Sequence, residues 1–255
     1  MFILFNRIEI VAGKGVEMLK YFFGGTYRMC ARFVPAVVTF VPVSVLIYLL
    51  LVQGMPAFYD KAYTMIQECI NPFGGKAIVL MIIYLWGMLV RMFSKWCESK
   101  FFKDELHFPT TDFLMWSNQD FPVAFKRALH AKVAKDAGFG LLTPEDELRD
   151  EHEARLLIAT AVARMRDKTR GDKIVFWYNV TYGFVRNLTS GSFFSLIAAL
   201  ALLCLGWMKG TGSALFALGL LFALAYLLLI VLAKPLCSFA GKLYARALIN
   251  AYYNL

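Results

Sequence analysis

The chain has 255 residues, 59% of them hydrophobic, and a formal net charge of +9, with a mean hydropathy of +0.58. Soluble domains are roughly 45–50% apolar, so this composition and its long uncharged runs exclude a water-soluble globule and indicate an all-α polytopic membrane protein. The Lys and Arg excess would suggest nucleic acid in a soluble chain; here the basic flanks of membrane spans explain it, and no nucleic-acid partner is expected.

Residues 1–32 are basic and apolar by turns, with Arg7, Lys14, Lys20, Arg28 and Arg32. This arm predicts a helix lying on the inner leaflet. Residues 33–53, "FVPAVVTFVPVSVLIYLLLVQ", are the first span; about 20 residues cross ~30 Å of hydrocarbon. The loop that follows has Phe58, Tyr59, Ala62, Tyr63, Ile66 and Ile70 at helical spacing. Pro56 opens this short outer helix, and Pro72 with Gly74 and Gly75 closes it. Residues 77–93 are the second span, so 33–93 forms a two-span segment.

Residues 94–185 form a predicted cytoplasmic helical domain inserted between the second and third spans. From Arg91 to Ser192 there are sixteen basic and fourteen acidic residues, a balance typical of a soluble surface. "SKWCESKFFKDEL" prolongs the second span as helix, and two prolines break "FPTTDFLMWSNQDFP". "VAFKRALHAKVAKDAGFG" is a helix stopped by Gly138. "LLTPEDELRDEHEARLLIATAVARMRDKTRG" reads as one long helix. Thr143 is its N-cap, Pro144 its first residue and Asp146 its capping partner, with Gly171 at its end. Leu148, Leu156, Ala159, Val162 and Ala163 are its expected apolar face. The acidic run from Glu145 to Glu153 reads as capping chemistry followed by a solvated face.

"KIVFWYNVTYGFVRNLTSGS" from Lys173 onward packs aromatics and amides against the third span. Trp177, Tyr178 and Tyr182 read as an interfacial belt, and Arg186 as a side chain snorkelling to the headgroups. The third span covers 193–207 and needs residues from Val185 onward to reach full length. The fourth covers 214–233, so 186–233 is a second two-span segment. Residues 234–255 form a basic cytoplasmic C-terminal helix with Lys234, Lys242 and Arg246.

Charge sets the expected orientation. The N-terminal arm, the insertion and the tail are rich in Lys and Arg, whereas the other two connections carry only Lys61 and Lys76, and Lys209. Both termini and the insertion are therefore expected in the cytoplasm, in a bacterial inner membrane. The sequons at Asn179 and Asn187 would then go unmodified. Cys30, Cys69, Cys97, Cys204 and Cys237 are scattered singly, which fits neither a disulfide framework nor a zinc site.

The sequence contains no Gly-rich phosphate loop, G-x-S-x-G or H-E-x-x-H, and His107, His130 and His152 are far apart. No catalytic residue, metal or cofactor is expected, and the chain is not read as an enzyme. Only Arg91 lies inside a span, which argues against an ion-coupled transporter. Two readings remain. In one, copies of the chain form a homo-oligomer whose spans make a pore or perturb the bilayer, under control of the cytoplasmic region and of a protein or small-molecule trigger. Its candidate lining and gating residues are Thr39, Pro42 and Ser44 in the first span, and Asn179, Arg186 and Asn187 before the third. In architecture alone the chain is similar to small multi-span effectors of bacterial anti-phage systems, which implies a defence role. The alternative is a non-conducting membrane scaffold or adaptor that docks a cytoplasmic partner.

Overall fold

A computed structural model of the protein describes residues 25–51, 60, 64, 72–211 and 213–255. It is all-helical, with no strand among the described residues. The helices are α1 (Thr26–Leu49), α2 (Pro72–Phe101), α3 (Pro109–Asp112), α4 (Val123–Ala137) and α5 (Pro144–Arg149). They continue with α6 (Glu151–Lys168), α7 (Lys173–Met208), α8 (Ala214–Val231) and α9 (Ala233–Tyr253). Four of them, α1, α2, α7 and α8, are long and apolar enough to cross a membrane. The chain is thus an integral membrane protein. The interfacial arm over residues 1–24 and the outer helix around Phe58 to Ile70 lie outside the described residues.

The described residues divide into two compact units. One runs up to Ser94 and resumes over Arg186–Leu232; the other is Lys95–Val185 with Ala233–Leu255. In the membrane unit, α1 and α2 run antiparallel. Ala36 faces Gly87, where an added Cβ would come 3.2 Å from the Ala36 methyl, and Phe40 packs on Trp86 with ring centroids 5.6 Å apart. Gly191 of α7 meets Thr39 of α1, and a Cβ there would lie 2.8 Å from the threonine methyl. Small residues thus let the helices approach closely where lipid supplies no hydrophobic drive to hold them together.

One hydroxyl caps both helices at the turn between α7 and α8. Ser213 accepts from the Phe216 N–H at 3.2 Å, capping α8, and donates to the Gly206 carbonyl at 3.1 Å, capping α7. Gly210, at φ 106°, takes the left-handed turn. Above it the two backbones nearly touch. A Cβ on Gly219 would lie 2.6 Å from the Leu203 nitrogen, and one on Gly206 would press on the Phe216 backbone.

The second unit has a hydrophobic core of its own. Phe113, Leu114 and Met115 pack with Leu129 and Val133 of α4 and with the inner faces of α6 and α9. α9 buries Cys237, Gly241, Tyr244, Leu248 and Tyr252, a stripe at three- and four-residue spacing. Gly241 lets Pro109 approach, its Cγ being 3.3 Å from a Cβ built there.

The long acidic helix expected after Leu142 is two helices. Asp150 leaves helical geometry (φ −139°, ψ 84°), ends α5, and caps α6 by accepting from the Glu153 N–H at 2.9 Å. The break resets the helical phase. The face that packs is Ala154, Ile158, Ala161, Val162 and Met165, whereas Leu148 is 85% exposed and Leu156 46%. Of the expected apolar face, Val162 alone is buried. The Thr143 cap, with its Asp146 partner, and the left-handed Gly138 stop form as expected. The aromatic stretch before the third span is helical, inside the single 36-residue α7. Its Tyr182 is no interfacial ring: it is buried and donates to the Glu98 carboxylate, which also pairs with Lys95 at 2.9 Å.

Replacing Gly206 or Gly219 by Val should lower stability by about 1–3 kcal/mol or more through overpacking. Gly140→Ala, whose methyl would meet nothing within 4 Å, should be near neutral. Denaturation in mixed micelles measures both, and equal effects would refute the close backbone approach.

Candidate functional site

Proline sets the polar chemistry of the membrane unit. Pro35 and Pro42 lie in α1 and have no N–H to give the carbonyls four residues back, those of Ala31 and Val38. In hydrocarbon such a carbonyl needs another donor. Asn187 of α7 donates its amide N–H to Ala31 at 2.6 Å. Tyr226 of α8 donates its hydroxyl to Val38 at 2.7 Å. The Ser94 hydroxyl of α2 then donates to the Asn187 amide oxygen at 2.7 Å. Ahead of Pro35, Val34 donates to Met29 five residues back, which widens the turn.

Thr39 lies between the two prolines and is fully buried. Its hydroxyl donates to the Pro35 carbonyl at 2.8 Å and accepts from the Trp86 indole N–H at 3.1 Å. Its carbonyl accepts from the Ser195 hydroxyl at 2.7 Å. α1 is thereby bonded to α2, α7 and α8 through one inward polar seam.

Of the candidate pore residues, Thr39, Pro42 and Asn187 are buried in this seam. Ser44 lies nearer the helix surface, its hydroxyl turned back on the Val41 carbonyl at 2.8 Å. Arg186 is buried. Asn179 is half-buried and belongs to the other unit. The structure therefore joins Thr39 and Pro42 with Asn187 in one network and leaves Ser44 and Asn179 outside it. Tyr226 was missed in the sequence. Its signal was a lone phenol in an otherwise apolar span, which has to find an acceptor.

The second unit holds a polar clamp around the turn at Met115 to Asn118. The Glu147 carboxylate accepts from the N–H groups of Trp116 (2.8 Å) and Ser117 (2.9 Å). The buried Lys126 ammonium donates to the carbonyls of Met115 (2.6 Å) and Asn118. The Trp116 indole donates to the Leu142 carbonyl at 2.8 Å, and its ring packs on His130 at 4.4 Å. The His130 ring bonds the Leu114 carbonyl at 3.0 Å. Glu147 is thus part of the interior, not of a solvated acidic face. Burial pushes the Lys126 pKa down, against the pull of Glu147 and Asp120. Burial also pushes His130 down, which favours the neutral ring. These side chains satisfy backbone groups that no helix serves. Among the described residues, no three His, Cys, Asp or Glu side chains converge on a possible metal site.

Comparison of the chain with known protein families, curated proteins and solved structures finds no match.

A double-mutant cycle tests the proline seam. Tyr226→Phe should cost about 0.6–2 kcal/mol in the wild-type background. In Pro42→Ala the helix regains its own donor for Val38, so the same change should cost close to nothing. Equal costs in both backgrounds would separate Tyr226 from Pro42.

His130 gives the second unit a pH dependence with a fixed sign. Its folded pKa lies below the ordinary 6.5, so the unfolded chain binds more protons as pH drops through that value. Stability is full above about 6.5 and falls on acidification below it. Asp136, held below its usual 3.8 by hydrogen bonds from Lys168 and Tyr252, acts in a separate and more acid window. Trp fluorescence during denaturation should show the loss setting in as pH falls below about 6.5, and His130→Gln should flatten it. A slope unchanged by that substitution would assign the effect elsewhere.

Proposed function

We propose that the protein is a non-conducting membrane scaffold: a four-helix anchor carrying a folded helical domain that docks a cytoplasmic partner. The observation that carries this reading is the direction in which the spans turn their polar groups. Thr39, Ser94, Asn187 and Ser195 are buried and bonded inside the subunit. The exposed positions of α2 include Val79, Met81, Ile82, Leu85 and Leu89, together with Tyr84 and Arg91, and those of α8 include Leu220, Leu221, Leu224, Leu227 and Leu228. Such surfaces suit lipid or a second copy, and they offer an ion no replacement for its hydration shell. A pore between copies that used these two faces would have a mostly apolar lining.

The loop-charge asymmetry supports a cytoplasmic location for both termini and for residues 95–185, in a bacterial inner membrane. A closed homo-oligomer is the assembly proposed, with the apolar faces of α2 and α8 as the surfaces that would meet. A scaffold needs rigidity in the domain it presents, and the clamp of Lys126, Glu147 and Trp116 supplies it.

Reconstituted into liposomes and planar bilayers, the chain should give no more ion flux than protein-free membranes, and its overexpression should not arrest growth. A reproducible unitary conductance that changes on Ser44→Lys would overturn the scaffold in favour of the pore-forming effector.

A further inference from the structure

We propose that the membrane unit binds an anionic phospholipid in a cleft between α1 and α2, its headgroup phosphate held by Arg28, Arg32 and Arg91. The cleft has a volume of about 190 Å³, and all three arginines line it together with Ile83, Tyr84 and Met88. Arg28 and Arg32 are one turn apart on α1, so they share a face. Arg91 comes from α2. Because the two helices run antiparallel, Arg91 lies level with Arg32, and the residues below it on α2 face the later turns of α1.

Among the described residues, no carboxylate forms an ion pair with these three charges. Among the same residues, the cations that act on Arg32 are Arg91, Arg28 and Arg186, all of its own sign. Its remaining partner is the Tyr27 ring, 5.5 Å from the guanidinium carbon. Like charges at such range repel, and an anion between them removes the repulsion. Guanidinium groups match the paired oxygens of a phosphate in geometry as well as charge.

The rest of the cleft identifies the anion as a lipid. From Arg91 to Ile83 is eight residues, roughly 12 Å along the helix axis. Over that length the wall is apolar, with Tyr84 and Met88 exposed beside it. Ala36 and Gly87, also in the wall, are small and leave room. A charged end continuing into an apolar channel fits a headgroup followed by an acyl chain. A soluble phosphate would cover only the first part. The positive-inside bias accounts for basic residues at this depth, but it does not require three of them to line one cavity.

The test uses the full chain, delipidated in neutral detergent, with phosphatidylglycerol or phosphatidylcholine added. Native mass spectrometry reads retained lipid, and a thermal melt reads stabilisation. Phosphatidylglycerol should be retained and should raise the melting temperature; phosphatidylcholine should do neither. The pair Arg32→Gln and Arg91→Gln should cut retention about tenfold or more and abolish the gain in melting temperature. Without lipid, that variant should melt no lower than wild type, since like charges have been removed. Arg149→Gln, an exposed side chain of the other unit, should bind lipid as wild type does.

Equal retention of both lipids, or undiminished binding by the double variant, would overturn the proposal. Full displacement by inorganic phosphate would assign the cleft to a soluble anion. A change in oligomeric mass at constant bound lipid would assign it to a second copy. Lipid binding only after removal of residues 1–24 would assign it to the preceding segment of the chain.

Discussion

Two proline carbonyl partners govern the membrane unit. Pro35 and Pro42 each withhold a backbone donor from a helix long and apolar enough to cross a membrane. The orphaned carbonyls of Ala31 and Val38 are seven residues apart, roughly 10 Å along α1. Asn187 of α7 serves the first and Tyr226 of α8 the second. Two fixed points on one helix thus set the register of two others. An interhelical hydrogen bond in a membrane adds only about 0.6 kcal/mol on average. A buried carbonyl left without a donor costs about 1–3 kcal/mol. The seam therefore acts more through the penalty for any other register than through its own strength.

Close packing follows from the same requirement. A side-chain amide or hydroxyl is short, so its parent helix must come near. Gly191 against Thr39, and Gly87 against Ala36, permit that approach on two sides of α1. The glycines at 206 and 219 do the same between α7 and α8. In the second unit a hydrophobic core does most of the holding. There polar side chains are spent on one irregular turn: Glu147 takes its N–H groups and Lys126 its carbonyls. The two units solve one problem, unpaired backbone, with different donors and acceptors.

Sequence patterns revealed what is local. Span number, the Thr143 and Gly138 caps and the helical continuation into the third span all follow from period, length and capping residues within one segment. The seam was not legible because it couples residues from Ala31 to Tyr226 that share no local pattern. The break at Asp150 was hidden for another reason. Asp is both a tolerable helix residue and an N-cap, and only tertiary packing selects between them. Reading through it carried the wrong phase into α6 and put Leu148 and Leu156 on the core face. Likewise, α9 looked like a basic tail, since Lys234, Lys242 and Arg246 stand out more than the stripe from Cys237 to Tyr252. The stripe decides where it packs.

Polar residues in a span are usually taken as marks of a pathway, and Thr39 and Asn187 invite that reading. Their bonding changes its weight. A hydroxyl already shared between the Pro35 carbonyl and the Trp86 indole has little left to offer a passing ion. Using it as a lining would mean breaking the contacts that join α1 to α2. The arginines differ in kind. Arg28, Arg32 and Arg91 line one cleft of the unit, and among the described residues no carboxylate is ion-paired to them. Residues that complete each other's bonding explain how a fold holds together. Residues that share a sign and a cleft raise the energy of the fold unless something else neutralises them, and it is there that a ligand has the most to contribute.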